Sequence, residues 1–182
     1  NSVDNYIYLL NSGQSNLADA NKLDHNYVVT AVKANLIDES NQSSTATASN
    51  NIFVTGAKNT ITWNAVTGAS RYRVYKDQGG IFGFIGETTT TTIIDDNISP
   101  DFSRTPPIHE NDFVGTGNYP GAVSYFEQRR VFAGTNNAPQ SIWMTKSGTE
   151  SNMSFGLPIR DDDRIEFRVA AREANTIRHI VP

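Results

Sequence analysis

The stretch "ITWNAVTGASRYRVYK", Ile61 to Lys76, decides the fold. Two short alternating runs flank a small-residue turn, Thr67-Gly68-Ala69-Ser70. Side chains on a strand change face at every residue, so Ile61 and Trp63 share one face of the first run, and Tyr72 and Val74 share one face of the second. The pattern predicts a hairpin that supplies half of a β-sandwich core. The other half is not found in the residues that follow.

With 182 residues the chain suffices for one large or two small domains. Hydrophobic residues at 37% and aromatics at 10% are enough to build cores, so a disordered chain is excluded. Abundant Asn, Ser, Thr and Gly, together with β-branched residues, predict a β protein with long loops. The best helical candidate, "LNSGQSNLADANKL", is interrupted by Gly13 and polar on too many sides. A net charge of −4 without a basic block argues against phosphate-driven nucleic-acid binding. No apolar run reaches membrane-spanning length, and no secretory signal is visible. The absence of cysteine removes disulfides, thiol catalysis and thiolate metal sites together. A start at Asn1 and an end inside the apolar run "IRHIVP" lead us to expect a piece of a longer protein.

Along the chain, residues 1–24 hold a strand candidate, "YIYLL", and a polar connector. "HNYVVTAVKA" then alternates, with Tyr27, Val29 and Ala31 on one face; "NLIDESNQ" is a turn and "SSTATASN" a small-residue strand. After the quoted segment come "GGIFGFIGET" and the threonine run "TTTTTIIDDN". Short strands with regular turn signals predict a sandwich over 25–98. Three prolines and lost periodicity mark 99–118 as a linker. Within 119–182, "AVSYFEQRRVFAGT" predicts a hairpin turning near Gln128-Arg129, "SIWMTKSG" and "RIEFRVA" predict strands, and "TIRHIVP" predicts the start of another. In "RIEFRVA", Ile165, Phe167 and Val169 face one way and Arg164, Glu166 and Arg168 the other.

Two resemblances sharpen this. "ITWNAV" with Trp63, "ASRYRVYK", "IFGFIGET" and "TTTIIDDNI" resemble the second to fifth strands of a fibronectin type III domain. The Tyr-x-Tyr-x-Val-type strand due next is instead similar to the upstream "HNYVVTAVKA", followed by the "ES…S" pattern of the last strand. This resemblance implies a circular permutation in which 25–50 close the sandwich formed by 52–98. Termini that lie close at a sandwich surface make such reordering tolerable. The rival is the tail of one such domain followed by the head of another, which leaves an apolar face bare on each half. His25 stands where that family usually has a corner tyrosine, and a histidine there can still donate a hydrogen bond.

The second resemblance covers about 119–182. Tyr119-Pro120, Gln128-Arg129 before Val131-Phe132-Ala133-Gly134, Pro139-Gln140 before Ile142-Trp143, and the acidic run before Ile165 are similar to podovirus and prophage tail proteins of the nozzle, or tail-tubular, type. That resemblance implies a β-propeller, assembly as a ring around the DNA exit channel, and fibronectin-like insertions. The expected class is therefore all-β: a fibronectin type III-like sandwich of permuted strand order, plus a partial β-propeller-like segment.

Candidate sites are few. Asp161-Asp162-Asp163 and Asp95-Asp96 lack the spaced pattern of a calcium loop, and adjacent carboxylates on a strand alternate faces, so a solvated turn is expected at 161–163. His25, His109 and His179 show no metal-ligand spacing. No Gly-x-Ser-x-Gly elbow occurs. Gly79-Gly80, Gly83 and Gly86 lead into no helix and read as turns and bulges rather than a phosphate cradle. The sequons at Asn41, Asn97 and Asn152 are expected by chance in so Asn- and Ser-rich a chain. No catalytic, cofactor or metal residue is assigned. Three interaction candidates remain. Tyr75, Phe82 and Phe84 fit either an exposed aromatic surface for sugar or protein contact or inter-sheet packing; packing is favoured for Phe82 and Phe84, while Tyr75, opposite the Tyr72/Val74 face, is open between the two. Arg129 and Arg130 fit either an inter-subunit ion pair in a ring or a hairpin turn with one solvated arginine.

The expected function is a non-enzymatic structural component of a phage or prophage tail, made in the bacterial cytoplasm and carried in the virion. Its fibronectin-like module would contact other tail proteins or the host surface, with the parent forming a homo-oligomeric ring. The alternative from a different class is a carbohydrate-binding or adhesive module of a larger extracellular protein, for which a host-surface glycan would be the partner. No cofactor, membrane or specific nucleic-acid partner is expected.

Overall fold

The computed structural model describes residues 8–12, 21–170 and 175–181. It is all-β, with no α-helix among the described residues. The chain divides into two compact units, 1–107 and 108–182.

The described residues of the first unit form seven strands: β1 (Tyr8–Ser12), β2 (Leu23–Val32), β3 (Ala46–Asn50), β4 (Lys58–Thr62), β5 (Arg71–Gln78), β6 (Ile81–Thr88) and β7 (Thr92–Asp95). They form two antiparallel sheets, β1-β4-β7 and β3-β2-β5-β6. The quoted stretch is therefore not a hairpin. Thr62 ends β4 and Arg71 begins β5, strands of different sheets, and the segment between them crosses from one to the other through the turn closed by Ala69 N–H on Val66 O at 3.1 Å. Gly68 sits there at φ 85, a left-handed conformation for which glycine carries no Cβ penalty. The face assignment survives this correction. Ile61 and Trp63 look across at Tyr72 and Val74, and Tyr27, Val29, Ala31, Ala48 and Ile85 complete one apolar core. Trp63 meets Tyr72 edge-on with centroids 5.4 Å apart. Residues 23–50 and 58–95 thus build a single sandwich, with β2 paired to β5 from Tyr27↔Lys76 to Val32↔Arg71.

At one end the core becomes polar. The Tyr27 hydroxyl donates to Asp95 Oδ2 at 2.6 Å and accepts from Asn59 Nδ2 at 2.9 Å. Asn50 Nδ2 donates to Asn59 Oδ1 at 2.9 Å, and Lys76 Nζ lies 2.8 Å from Asp95 Oδ2. Asp95 Oδ1 also accepts the N–H groups of Asn97 and Ile98, at 3.0 and 2.7 Å. Lys76 and Asp95 are both buried, so each charge depends on the other.

The outer face of β2 and β5 is covered as well. Val28, Thr30, Val32 and Tyr75 are all buried. Glu39, from the loop after β2, accepts from Thr30 Oγ1 at 2.5 Å and Tyr75 Oη at 2.6 Å, and Arg73 donates to it at 2.5 Å.

The stretch expected to be a linker, 99–118, is structured on both sides of the unit boundary. Phe84 and Asp101 exchange two backbone hydrogen bonds, and Pro100 comes so near Gly83 that a Cβ there would lie 2.7 Å from it. Beyond the boundary, β8 (Ile108–His109) pairs with β12 (Ser154–Phe155). The other second-unit strands, β9 (Ala122–Phe126), β10 (Arg129–Ala133), β11 (Ser141–Met144) and β13 (Ile165–Arg168), form one antiparallel sheet in that spatial order. Glu127 and Gln128, with φ 44 and 62, make the β9–β10 turn, one residue earlier than Gln128-Arg129. Residues 175–181 form no strand, contrary to the reading of "TIRHIVP". Ile177 N–H bonds Pro139 O at 2.9 Å, and its carbonyl passes where a Cβ on Gly134 would be. Of the expected strand "YIYLL", Tyr8, Leu9 and Leu10 lie in β1, and residues 6 and 7 lie outside the described ones.

The Lys76–Asp95 pair gives a directional expectation. Asp95→Ala strands a buried ammonium and is expected to cost about 3–5 kcal/mol in urea unfolding. Lys76→Met leaves Asp95 its Tyr27 and backbone donors and should cost clearly less.

Candidate interaction surface

The three interaction candidates lie in very different surroundings. Tyr75 is buried, with its hydroxyl on Glu39 and its ring edge-on to Phe84 at 5.9 Å. Phe84 is itself covered by the Arg104 guanidinium, 3.9 Å from the ring centroid. Tyr75 is thus packed rather than open to contact, because the loop carrying Glu39 closes over it. Burial, reinforced by the neighbouring carboxylate, pushes the Tyr75 hydroxyl pKa far up and keeps it a neutral donor.

Arg129 is also buried. Its Nη1 donates to the carbonyls of Thr145 and Asp163 at 2.8 and 2.6 Å, and its Nη2 to that of Asp161 at 2.6 Å. A guanidinium offers five N–H groups in a fixed fork, which suits it to gather carbonyls that no ladder uses. Arg129 thus ties the 161–163 turn to β10 and is not available to a neighbour. Arg130 is the more open of the two: it packs over Tyr125, 5.4 Å from the ring centroid, and donates to Glu150 at 2.6 Å. A hairpin turn with one arginine toward solvent describes the pair: Arg129 is buried beside the turn, and Arg130 lies on the sheet surface, engaged by its own chain.

The acidic turn is likewise not simply solvated. Asp163 is buried, accepts the N–H groups of Gly156 and Arg160 at 3.0 and 2.9 Å, and pairs with Lys146 at 3.0 Å. Burial pushes its carboxyl up, but the two N–H groups and the ammonium outweigh that and hold it below its ordinary value. Nearby, Glu110, Asp112 and Glu166 converge. Arg164 donates to all three, at 2.5 Å to Asp112 and 3.0 Å to Glu166, with its guanidinium over Phe155. This arginine-centred cluster was not legible in the sequence, since its two halves, Glu110 with Asp112 and Arg164 with Glu166, stand more than fifty residues apart.

His25 makes the hydrogen bond its side chain was expected to be able to give: its Nε2 donates to Asn50 O at 3.1 Å. Asn152, in the third sequon, is buried and bonds the Ser154 N–H at 2.9 Å.

The remaining surface of note is one face of the second-unit sheet. The Ile142↔Phe167 and Met144↔Ile165 pairs place four apolar side chains together on β11 and β13, and Val169 continues the row. Ile165, Phe167 and Val169 are 40–43% exposed. The opposite face is covered in part by Phe113, whose ring meets Phe132 and Trp143 at 5.1 and 5.5 Å. No family, curated protein or solved structure matches this chain.

Two expectations follow from these placements. Arg129→Lys loses the fork that serves three carbonyls and should cost about 2–3 kcal/mol in chemical denaturation, whereas Arg130→Ala should leave the unfolding midpoint nearly unchanged. Burial lowers the His25 pKa below 6.5, only partly opposed by its bond to Asn50. The unfolded chain then takes up a proton at higher pH than the folded one, so the stability is complete above about 6.5 and declines as pH falls toward the folded value. Urea midpoints between pH 7.5 and 5.5 should fall in the parent and fall less in His25→Gln.

Proposed function

We propose that the chain is a structural, non-enzymatic part of a bacteriophage or prophage tail of nozzle type. In this reading the first unit is a fibronectin type III-like decoration and the second a blade of a β-propeller. The observation that carries it is a contrast between the two units. The first closes its own core, with Ile61 and Trp63 of one sheet packed on Tyr72 and Val74 of the other. The second holds, beside the short β8–β12 pair, a four-stranded antiparallel sheet that leaves Ile165, Phe167 and Val169 in a row, partly open to solvent. A propeller covers such faces by packing sheet on sheet around an axis, so a blade is incomplete by itself.

Strand pairing supports the permuted fibronectin-like layout. β2 and β3, which precede β4 in the chain, extend the sheet of β5 and β6, while β4 pairs with β1 and β7. Those are the places that the sixth and seventh strands occupy when they precede the second to fifth. Function then follows from assembly: a self-contained module on a rigid ring offers loops and edges to neighbouring tail proteins or the host surface.

Mass spectrometry of purified phage particles from the induced source strain tests this. The tryptic peptide Val131 to Lys146 is expected at a few to a dozen copies per particle, estimated on the order of a small closed ring. Its absence from particles that contain other tail proteins would overturn the assignment.

A further inference from the structure

The ladder between β11 and β13 determines which backbone groups of β13 point away from the sheet. Val169 N–H donates to Gln140 O at 2.9 Å. Bonded and non-bonded pairs alternate along an antiparallel ladder, so the bonded pairs are Gln140/Val169, Ile142/Phe167 and Met144/Ile165. The other side of β11 agrees: Thr145 N–H bonds Arg130 O and Gly134 N–H bonds Ser141 O, which turns the odd-numbered residues of β11 toward β10. The N–H and C=O groups of Glu166 and Arg168 therefore point outward, and no described strand lies beyond β13 in the sheet. Arg164 has the same outward parity, but its N–H is already given to Ser154 O at 3.3 Å. The open edge begins at Ile165.

We propose that this edge pairs with β13 of a second copy of the chain, antiparallel about a two-fold axis at Phe167. Three two-fold registers let outward groups meet. Centring on Glu166 or on Arg168 sets like charges directly opposite. Centring on Phe167 sets Glu166 opposite Arg168 of the other copy, twice by symmetry. That register alone joins both outward residues of each copy, giving four backbone hydrogen bonds. It also places Ile165 beside Val169 of the other copy and Phe167 beside its own equivalent, on the face where all three are 40–43% exposed. Charge, hydrogen-bond parity and apolar pattern select one register, as cross-strand pairing requires. The contact is isologous and closes on itself, so it yields a dimer and not a fibre. Five residues per copy bury little area, so the dimer is weak and reversible. The inference does not depend on the tail assignment.

Sedimentation of the 182-residue chain over a concentration series should show a monomer–dimer equilibrium. Glu166→Arg and Arg168→Glu each set like charges opposite in the homodimer and should weaken it about tenfold or more. An equimolar mixture of the two variants restores opposite charges at every pair and should dimerise again. In the unsubstituted chain, hydrogen exchange at the Glu166 and Arg168 amides should slow as concentration rises, a readout that needs no variant. A chain that stays monomeric at the highest concentration, a dimer indifferent to both variants, a mixture that does not recover, or unchanged exchange at those two amides would each overturn the proposal.

Discussion

Two apolar sheet faces attract without direction, so a sandwich held by hydrophobic burial alone has several nearly equal ways to settle. Here the Lys76–Asp95 ion pair and the Tyr27 hydroxyl on the same carboxylate remove that freedom. Lys76 and Tyr27 belong to one sheet, Asp95 and Asn59 to the other, and the bonds between them have short distances and fixed directions. Asp95 adds two backbone N–H groups of the following turn to its partners, so the register of the sheets and the exit of β7 are set by one side chain. Breaking such a pair is costly because it leaves a buried charge, which is why the rest of the first unit is tied to this geometry.

The sequence revealed the core face because alternation is a local signal: Ile61, Trp63, Tyr72 and Val74 fall on it by parity alone. It hid the sheet partners, because a small-residue turn looks the same whether it joins neighbours in one sheet or crosses between two. It also hid the burial of Tyr75. The usable sign was in β2, where Tyr27 to Val32 is an almost unbroken apolar run rather than an alternating one. A strand of that kind is buried on both faces, and its partner across the ladder must share the covered outer face. Tyr75, opposite Val28, is that partner.

In the second unit the legible part was again the strands and their faces, including the row Ile165 and Phe167. Long-range polar contacts were not legible. Arg129 and Asp163 both stand in stretches that look charged and exposed, yet each is buried because it gathers backbone groups of turns that no ladder satisfies. Three carbonyls for one guanidinium, and two N–H groups with an ammonium for one carboxylate, are arrangements of tertiary structure that leave no spacing in the chain.

The doubly buried β2 has a consequence for synthesis. It leaves the ribosome before its ladder partner β5, which is not complete until Gln78, and before the facing sheet, not complete until Asp95. Its apolar run must wait in an unfinished chain while the rest is made, and its contacts are non-local, which slows closure once the partners arrive. A strand order in which β2 precedes both β5 and β7 thus leaves an aggregation-prone run waiting for its cover. For this chain the hazardous interval lies in nascent life, before any sandwich exists to hide it.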